Sequence, residues 1–333
     1  MTHPTAPTGR PRVSVVICAY TEARWDDLLA AIASVQAQGH PALETIVVID
    51  HNDALRGRVE RDVTDVVLIA NVEQRGLSGA RNSGVRVARG EVVAFLDDDA
   101  IAEVDWLEHL AARYTDPAVV GAGGSIVPLW ERGRPRWFPE EFLWVIGCTY
   151  RGMPERTTAV RNVIGANMSF RREVLESVGG FSHGIGRLGT RPLGGEETEL
   201  SIRALRLWPG RTILYEPAAG VRHRAPAVRG TLRYFHSRCY AEGLSKAVIA
   251  KHVGAGDALA TERGYAVRVL GAGIARNLVD GVRRRDVDAF KRAAAIATGL
   301  AATTAGFVIG WISGRPTEPA APFVPEPAAV DKS

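Results

Sequence analysis

Residues 92–101, VVAFLDDDAI, set three successive aspartates, Asp97, Asp98 and Asp99, directly behind an unbroken apolar run. That run has strand length and β-branched or aromatic side chains, so it reads as a strand buried on both faces. Adjacent carboxylates at the mouth of a low-dielectric interior repel one another unless something cationic stands between them. The stretch therefore predicts a bound cation or a strong donor cluster at the end of a strand. The structural alternative is a solvated turn whose aspartate caps a helix. Carboxylate oxygens are hard ligands, suited to Mg²⁺ or Mn²⁺ that also holds a substrate phosphate.

Outward from this point the chain alternates. RVSVVICAY (12–20), LETIVVID (43–50) and VTDVVLIA (63–70) read as strands, and WDDLLAAIASVQAQ (25–38) and LSGARNSGVRVA (77–88) as helices. Continuous apolar strands separated by helices imply an α/β domain with a mostly parallel sheet covered on both faces. Ligands collect at the carboxyl ends of such strands. Four polar or Gly-rich places qualify: Ala19 to Glu22, Asp50 to Asp53, Asn71 to Gly79, and Asp97 to Asp99.

Further along, residues 130–162 are rich in Trp, Pro and Arg without clean periodicity, as an insertion or the wall of a cleft would be. VIGANMSF (163–170) reads as a strand leading into a helix that stops at Gly179 and Gly180. The Gly-rich SHGIGRLGTRPLGG (182–195) is expected to form a mobile loop over the site. A helix over EETELSIRALRL (196–207) and strands over RTILYEP (211–217) and GVRHR (220–224) follow, and the remainder to residue 314 is helical. The expected organisation is a tail over 1–11, a catalytic domain over 12–229, a helical region over 230–314 and a second tail over 315–333.

With 333 residues the chain can bury a large core. Its three cysteines, Cys18, Cys148 and Cys239, are odd in number and widely spaced, which argues against a disulfide framework and for a reducing compartment. The polar start MTHPTAPTGRP has no apolar segment of the secretory kind, so the active domain is expected in the cytoplasm. Net charge is +4, yet residues 203–292 carry 18 Lys/Arg against seven Asp/Glu. That region calls for an anionic partner. Without a nucleic-acid motif or an aromatic-interleaved basic stripe, no nucleic acid is expected; a membrane surface or a phosphorylated acceptor fits.

The ordered pieces VSVVICAYTEAR (13–24), IVVIDHND (46–53), GLSGARNSG (76–84), VVAFLDDDA (92–100), GANMSFRRE (165–173), GGEETELSIRA (194–204) and VRH (221–223) resemble the family 2 glycosyltransferases. These are nucleotide-sugar-dependent enzymes of GT-A fold, and the resemblance covers roughly residues 12 to 250. It implies that Asp50 hydrogen-bonds the nucleotide, with Asp53 a weaker candidate, and that Ala19, Tyr20 and Glu22 flank base and ribose. His51-Asn52 departs from the family's usual pattern at this loop. Arg81 and Asn82 would be donors near the nucleotide. The aspartate run corresponds to the DxD motif, Asp97 and Asp99 facing metal and diphosphate, Asp98 contacting ribose or supporting the loop. His223 matches a position that some members use as a further metal or diphosphate ligand.

The general base of the family lies at a helix start, where this chain has Glu197, with Glu196 as the alternative; glutamate replaces the usual aspartate. A base opposite the leaving group implies single displacement with inversion. Acids at a helix start are also favoured by the dipole alone. Asn167 and Trp137 are expected to line the donor and acceptor pocket, with a structural role as the alternative; Arg238, Tyr240 and Lys246, at helical spacing, would hold the diphosphate or a lipid phosphate, or else form a solvated helix face. Within the family, GANMSFRRE and CYAEGLSKA look most like bacterial and archaeal enzymes extending polyprenol-linked or surface glycans, including glucuronosyltransferases. The implied partners are a nucleotide sugar, UDP-linked by preference, and a lipid-linked or saccharide acceptor.

Residues 293–314 carry no charge over a length that can cross a bilayer, though most are Ala, Gly, Thr and Ser. Gly306, Gly310 and Gly314 recur every fourth residue and permit close helix contact. Arg283, Arg284, Arg285, Lys291 and Arg292 precede them, so the expectation is attachment at the inner face of the membrane, peripheral or by this one helix. A sugar nucleotidyltransferase is a competing reading, but ICAYTEARW lacks its Gly-rich phosphate loop. GAGGSIVP is only a partial dinucleotide pattern and runs into Pro128, which disfavours a dehydrogenase. A catalytically inactive glycan-binding protein is opposed by retention of the aspartates and Glu197.

Overall fold

The computed structural model describes residues 9–183, 194–254 and 264–313. The expected loop over 182–195 and both tails lie largely or wholly outside these residues.

Strands β1 (Val13–Ala19), β2 (Glu44–Ile49), β3 (Val67–Ala70) and β4 (Val92–Asp97) form a parallel block in the order β3-β2-β1-β4. Between them run helices α1 (Trp25–Gln36), α2 (Asp53–Asp62) and α3 (Leu77–Val87). Alternation within β1 sends Val15, Ile17 and Ala19 to one face, against α1 and α2, and Val16 to the other, against α3. Both faces are covered, which is why these strands are mostly apolar, with Ser14, Glu44 and Thr45 confined to their starts and Asp97 to the end of β4.

Beyond β4 the sheet is mixed, where the sequence suggested a mostly parallel one. β8 (Asn167–Arg171) lies antiparallel between β4 and β6 (Val119–Trp130), while β9 (Thr212–Ala225) runs parallel to β6. Short strands β5 (Ala100–Ala102) and β7 (Thr158–Val160) each pair antiparallel with β9. The two strands expected over 211–217 and 220–224 are one strand, β9, broken only by a shift of register opposite Gly124 and Ile126. The partial glycine pattern GAGGSIVP lies in β6, where neighbouring backbone comes close at Gly123 and Gly124 and the Phe170 ring at Gly121.

Helices α4 (Trp106–Arg113), α5 (Arg172–Ser177) and α6 (Glu196–Leu207) complete the cover. The irregular segment over 130–162 contains a short tight helix, Glu140–Ile146, and walls a cleft. Among the described residues three long helices follow β9: α7 (Leu232–Val253), α8 (Gly271–Arg284) and α9 (Val287–Ile312). α7 and α9 meet backbone to backbone. A Cβ placed on Gly306 would stand 2.1 Å from the Tyr240 carbonyl oxygen, and one on Gly243 2.0 Å from that of Thr303.

Candidate active site

Sheet order brings the carboxyl ends of β1 and β4 side by side, with Cys18 in register with Asp97. Pairing of β5 with β9 then sets His223 opposite Ala100 and beside Asp99, although they are 124 residues apart in sequence. The His223 Nε2 to Asp99 Oδ1 distance is 2.9 Å. Gly147, at φ +77°, lies flat against the imidazole; a Cβ there would approach His223 Cε1 to 3.3 Å in a backbone conformation that side chains disfavour.

The three aspartates occupy unlike environments. Asp97 is partly exposed, with Arg81 Nη2 at 3.4 Å. Asp98 is buried against Arg24, whose Nη1 donates to Oδ1 at 2.7 Å, while Oδ2 has no hydrogen-bond partner. Asp99 is surrounded by His223, by Arg24 at 3.2 Å and by Arg229 at 3.4 Å. Burial pushes Asp98 up to about 7, against the pull of Arg24. Asp99 is also penalised by burial, yet its three cationic neighbours, His223 foremost, hold it well below the usual carboxylate range. Burial disfavours the imidazolium of His223, but the Asp99 carboxylate overrides it and raises the group to about 10. Repulsion within the aspartate run is thus answered by a cluster of donors, one of the two outcomes the sequence required.

Across the crevice, α6 presents Glu196 and Glu197. Arg81, itself buried, spans the gap: its Nη1 donates to Glu196 Oε1 at 2.9 Å, and Nη2 reaches Asp97 and, at 3.2 Å, the Gly165 carbonyl. Glu196 Oε2 is buried and has no partner. Burial, and then the Glu196 charge, push the Glu197 carboxyl up to about 8. α6 is anchored from below by Glu199, which is fully buried and receives Arg203 Nε at 2.6 Å, Ser182 Oγ at 3.0 Å and His252 Nε2 at 3.3 Å.

A cavity of about 760 Å³ joins these groups. Arg81, Asp97, Asp99, Glu196, Glu197, His223 and Lys246 line it, Lys246 paired with Glu242 at 3.2 Å. From the acidic rim it runs between the 140–154 segment, with Phe142, Trp144 and Tyr150, and the α7–α9 pair, with Leu300, Thr303, Thr304 and Phe307.

Several expected residues stand elsewhere. Asn167 is an interior brace, not a pocket residue: it accepts from the Trp106 indole at 2.8 Å and donates to the carbonyls of Ser125 and Ala219. Trp137 packs on Phe138 and Phe235, with ring centroids 5.2 and 5.5 Å apart, because its Pro-flanked segment is folded onto α7. Asn82 ties α3 to the Phe181 backbone and to Glu73 and does not face the crevice. Arg81, by contrast, does line the cavity and is at the same time the strut between the two acidic elements. The Asp50 carboxylate takes Asn71 Nδ2 at 2.6 Å and the Gly76 amide at 2.9 Å, and so shapes the 71–76 loop. Ala19 is buried, whereas Tyr20, under the Arg24 guanidinium, and Glu22 are exposed near the end of β1. Asp53 is exposed on the first turn of α2.

Arg24 and Arg229 were not foreseen as site residues. Arg24 sits inside the quoted VSVVICAYTEAR and could have been found by asking which cation neutralises the aspartates; Arg229 carries no local signal. Asp97, Asp99 and His223 offer ligand atoms within 4.8 Å of one another, the one such group among the described residues. Two hard carboxylates and an imidazole, with unpartnered oxygens of Asp98 and Glu196 nearby, fit a divalent cation of the Mn²⁺ or Mg²⁺ kind.

A half-parallel curled sheet with an acidic, cation-ready crevice at its strand ends and a paired acid on a facing helix defines a GT-A glycosyltransferase. Residues 14–179 match the model of glycosyl transferase family 2. The glucosyl-dolichyl phosphate glucuronosyltransferase of Haloferax volcanii is 38% identical over 242 residues, 72% of this chain and 77% of that one. The chain belongs to this family and is a glycosyltransferase. It is also 25% identical over 225 residues to the pre-mycofactocin glycosyltransferase of Mycobacterium tuberculosis, of whose length that match spans 45%. In fold it resembles the mannosyltransferase PcManGT from Pyrobaculum calidifontis, solved with GDP-Man and Mn²⁺, at a TM-score of 0.53 and 21% identity over 89% of this chain and 88% of that one.

Proposed function

We propose that the chain transfers a sugar from a UDP-linked donor, a uronic acid by analogy with the Haloferax relative, to a hydroxyl of a sugar carried on a polyprenyl phosphate at a membrane surface. The observation that carries this reading is the meeting, in one cavity, of the Asp97, Asp99 and His223 donor set with the Glu196–Glu197 helix start. Asp97, Asp99 and His223 would hold a divalent cation, which when bound supplies charge neutralisation for the departing diphosphate.

The chain's own groups do the rest. Glu197, raised to about 8, is matched to accept the acceptor hydroxyl's proton near neutral pH. Glu196 is committed to Arg81, which fixes the helix start at a set distance from the acidic strand end. Asp98, with Arg24, stiffens the loop between the two ligand positions. A base facing the anomeric carbon from the side opposite the diphosphate requires single displacement, with inversion. The apolar arm beside α9 suits the lipid part of the acceptor, with Lys246 and Arg238 on its wall near the phosphate.

The test is incubation with UDP-glucuronate and a glucosylated polyprenyl phosphate, with Mn²⁺ or with EDTA. Product that forms only with the metal, and whose new linkage has β configuration by NMR, is expected; retained α configuration or metal-independent transfer would refute the mechanism.

A further inference from the structure

α9 has one face that nothing among the described residues covers. Val287, Phe290, Ala294, Ala297, Ala301, Ala305, Val308 and Ile312 are all exposed and advance by steps of three and four, so they form a single stripe along the helix. At 1.5 Å per residue the 26 residues span about 39 Å. No charge occurs on α9 after Arg292. Leading into the turn between α8 and α9, the last turns of α8 add Leu278, Val279 and Val282, exposed by 44, 48 and 72%. Around them stand Arg283, Arg284 and Arg285, with Lys291 one turn into α9, and residues 271–313 carry six Lys/Arg against three Asp/Glu.

The opposite face decides how such a helix can meet lipid. It is fused to α7 through Gly243, Gly306 and Gly310, and α7 carries Arg238, Glu242 and Lys246 toward the cavity. Lys251 of α7 donates to the Gly310 carbonyl at 3.0 Å and lies 5.7 Å from the Trp311 ring. A bilayer-crossing α9 would drag this charged partner into hydrocarbon or lose it, and either is costly. A helix lying in the plane keeps α7 in water and gives lipid only the uncharged stripe.

We propose that the α9 stripe and the α8–α9 turn are a bilayer-docking surface, with α9 in the membrane plane and the basic turn on anionic headgroups. Charge complementarity names the occupant, because an apolar strip rimmed by arginines fits an anionic lipid surface better than a second copy bearing the same arginines. The lateral edge of the same helix, Leu300, Thr303, Thr304 and Phe307, lines the catalytic cavity, so a lipid-borne acceptor enters from the bilayer along α9. That last step rests on the acceptor proposed above; the docking surface does not.

The experiment is co-sedimentation of the full chain with phosphatidylcholine vesicles, with and without phosphatidylglycerol, followed by an alkaline carbonate wash. Binding to the anionic vesicles, release by carbonate, and weakening by about tenfold in both Ala294→Glu and Ala301→Glu at unchanged melting temperature are expected. Retention through carbonate would mean a crossing helix and overturn the proposal, as would unchanged binding of both variants. A dimer broken by the same substitutions, without vesicle binding, would assign the stripe to a second copy and also overturn it. Vesicle binding with no transfer to the lipid-linked acceptor would sink the acceptor reading and leave the docking surface standing.

Discussion

The two walls of the cavity are built on opposite electrostatic principles. On the sheet side every carboxylate is answered by cations: Arg24 for Asp98 and Asp99, His223 and Arg229 for Asp99, and for Asp97 the Arg81 that it shares with Glu196 across the crevice. On the helical side α7 and α9 meet through Gly243 and Gly306 at backbone distance, with little charge in the seam. The first wall is held by charges that only neighbours can satisfy. The second is held by shape, and added volume in the seam is what it cannot accommodate.

The contrast is broken most forcefully at Glu197. Glu197→Gln is expected to lower turnover by about a hundred- to ten-thousand-fold while leaving donor affinity in place, measured by single-turnover kinetics and donor titration. If turnover survives, proton transfer is assigned to the wrong group.

Asp99→Ala comes next. It strands His223 and Arg229, both buried, without their carboxylate, and a broken buried pair costs about 3–5 kcal/mol in denaturant unfolding. On the other wall Gly306→Val forces side-chain atoms into the Tyr240 carbonyl and is expected to cost about 1–3 kcal/mol, a smaller penalty because helices can slide apart. A cost at Gly306 that exceeded the cost at Asp99 would reverse the ranking of the two walls.

Asn167→Ala tests the interior placement of that amide. Loss of its bonds to Trp106, Ser125 and Ala219 is expected to destabilise by about 1–3 kcal/mol, yet leave turnover per folded molecule unaltered. A selective rise in donor or acceptor KM would return the residue to the pocket.

A further effect concerns pH. Glu197 holds its proton more tightly folded than unfolded, its value rising from 4.5 to about 8. Its contribution to stability is therefore complete below pH 4.5 and lost as pH rises through about 8. Relative to Glu197→Gln the native chain should lose stability across that window, and kcat should rise with pH on a limb near 8. Glu196→Gln removes the adjacent negative charge and should move the limb to lower pH.

Local pattern made much of this legible. β1 to β4 are apolar through their middles because both faces are covered, and the helix over 196–207 begins where Gly195 and the acids place it. β6 was missed because glycines that admit a neighbouring strand look, in isolation, like a turn. Asn167 and Asn82 sit in the right motifs and Trp137 in the expected cleft wall, but an amide or indole gives no sign in sequence of whether its partner is a ligand or the protein interior.

What the sequence by itself determined is the alternation of strands and helices, the acid run at a strand end, the second acid pair and the long uncharged helix, since each is a matter of neighbouring residues. Only the tertiary structure decided that Arg24, Arg229 and His223 converge on Asp99, that Arg81 joins the two acidic elements, and that the uncharged helix shares one face with α7 and leaves the other bare. These are contacts between segments tens to hundreds of residues apart, fixed by sheet order and helix packing, and chain-local preferences carry no record of them.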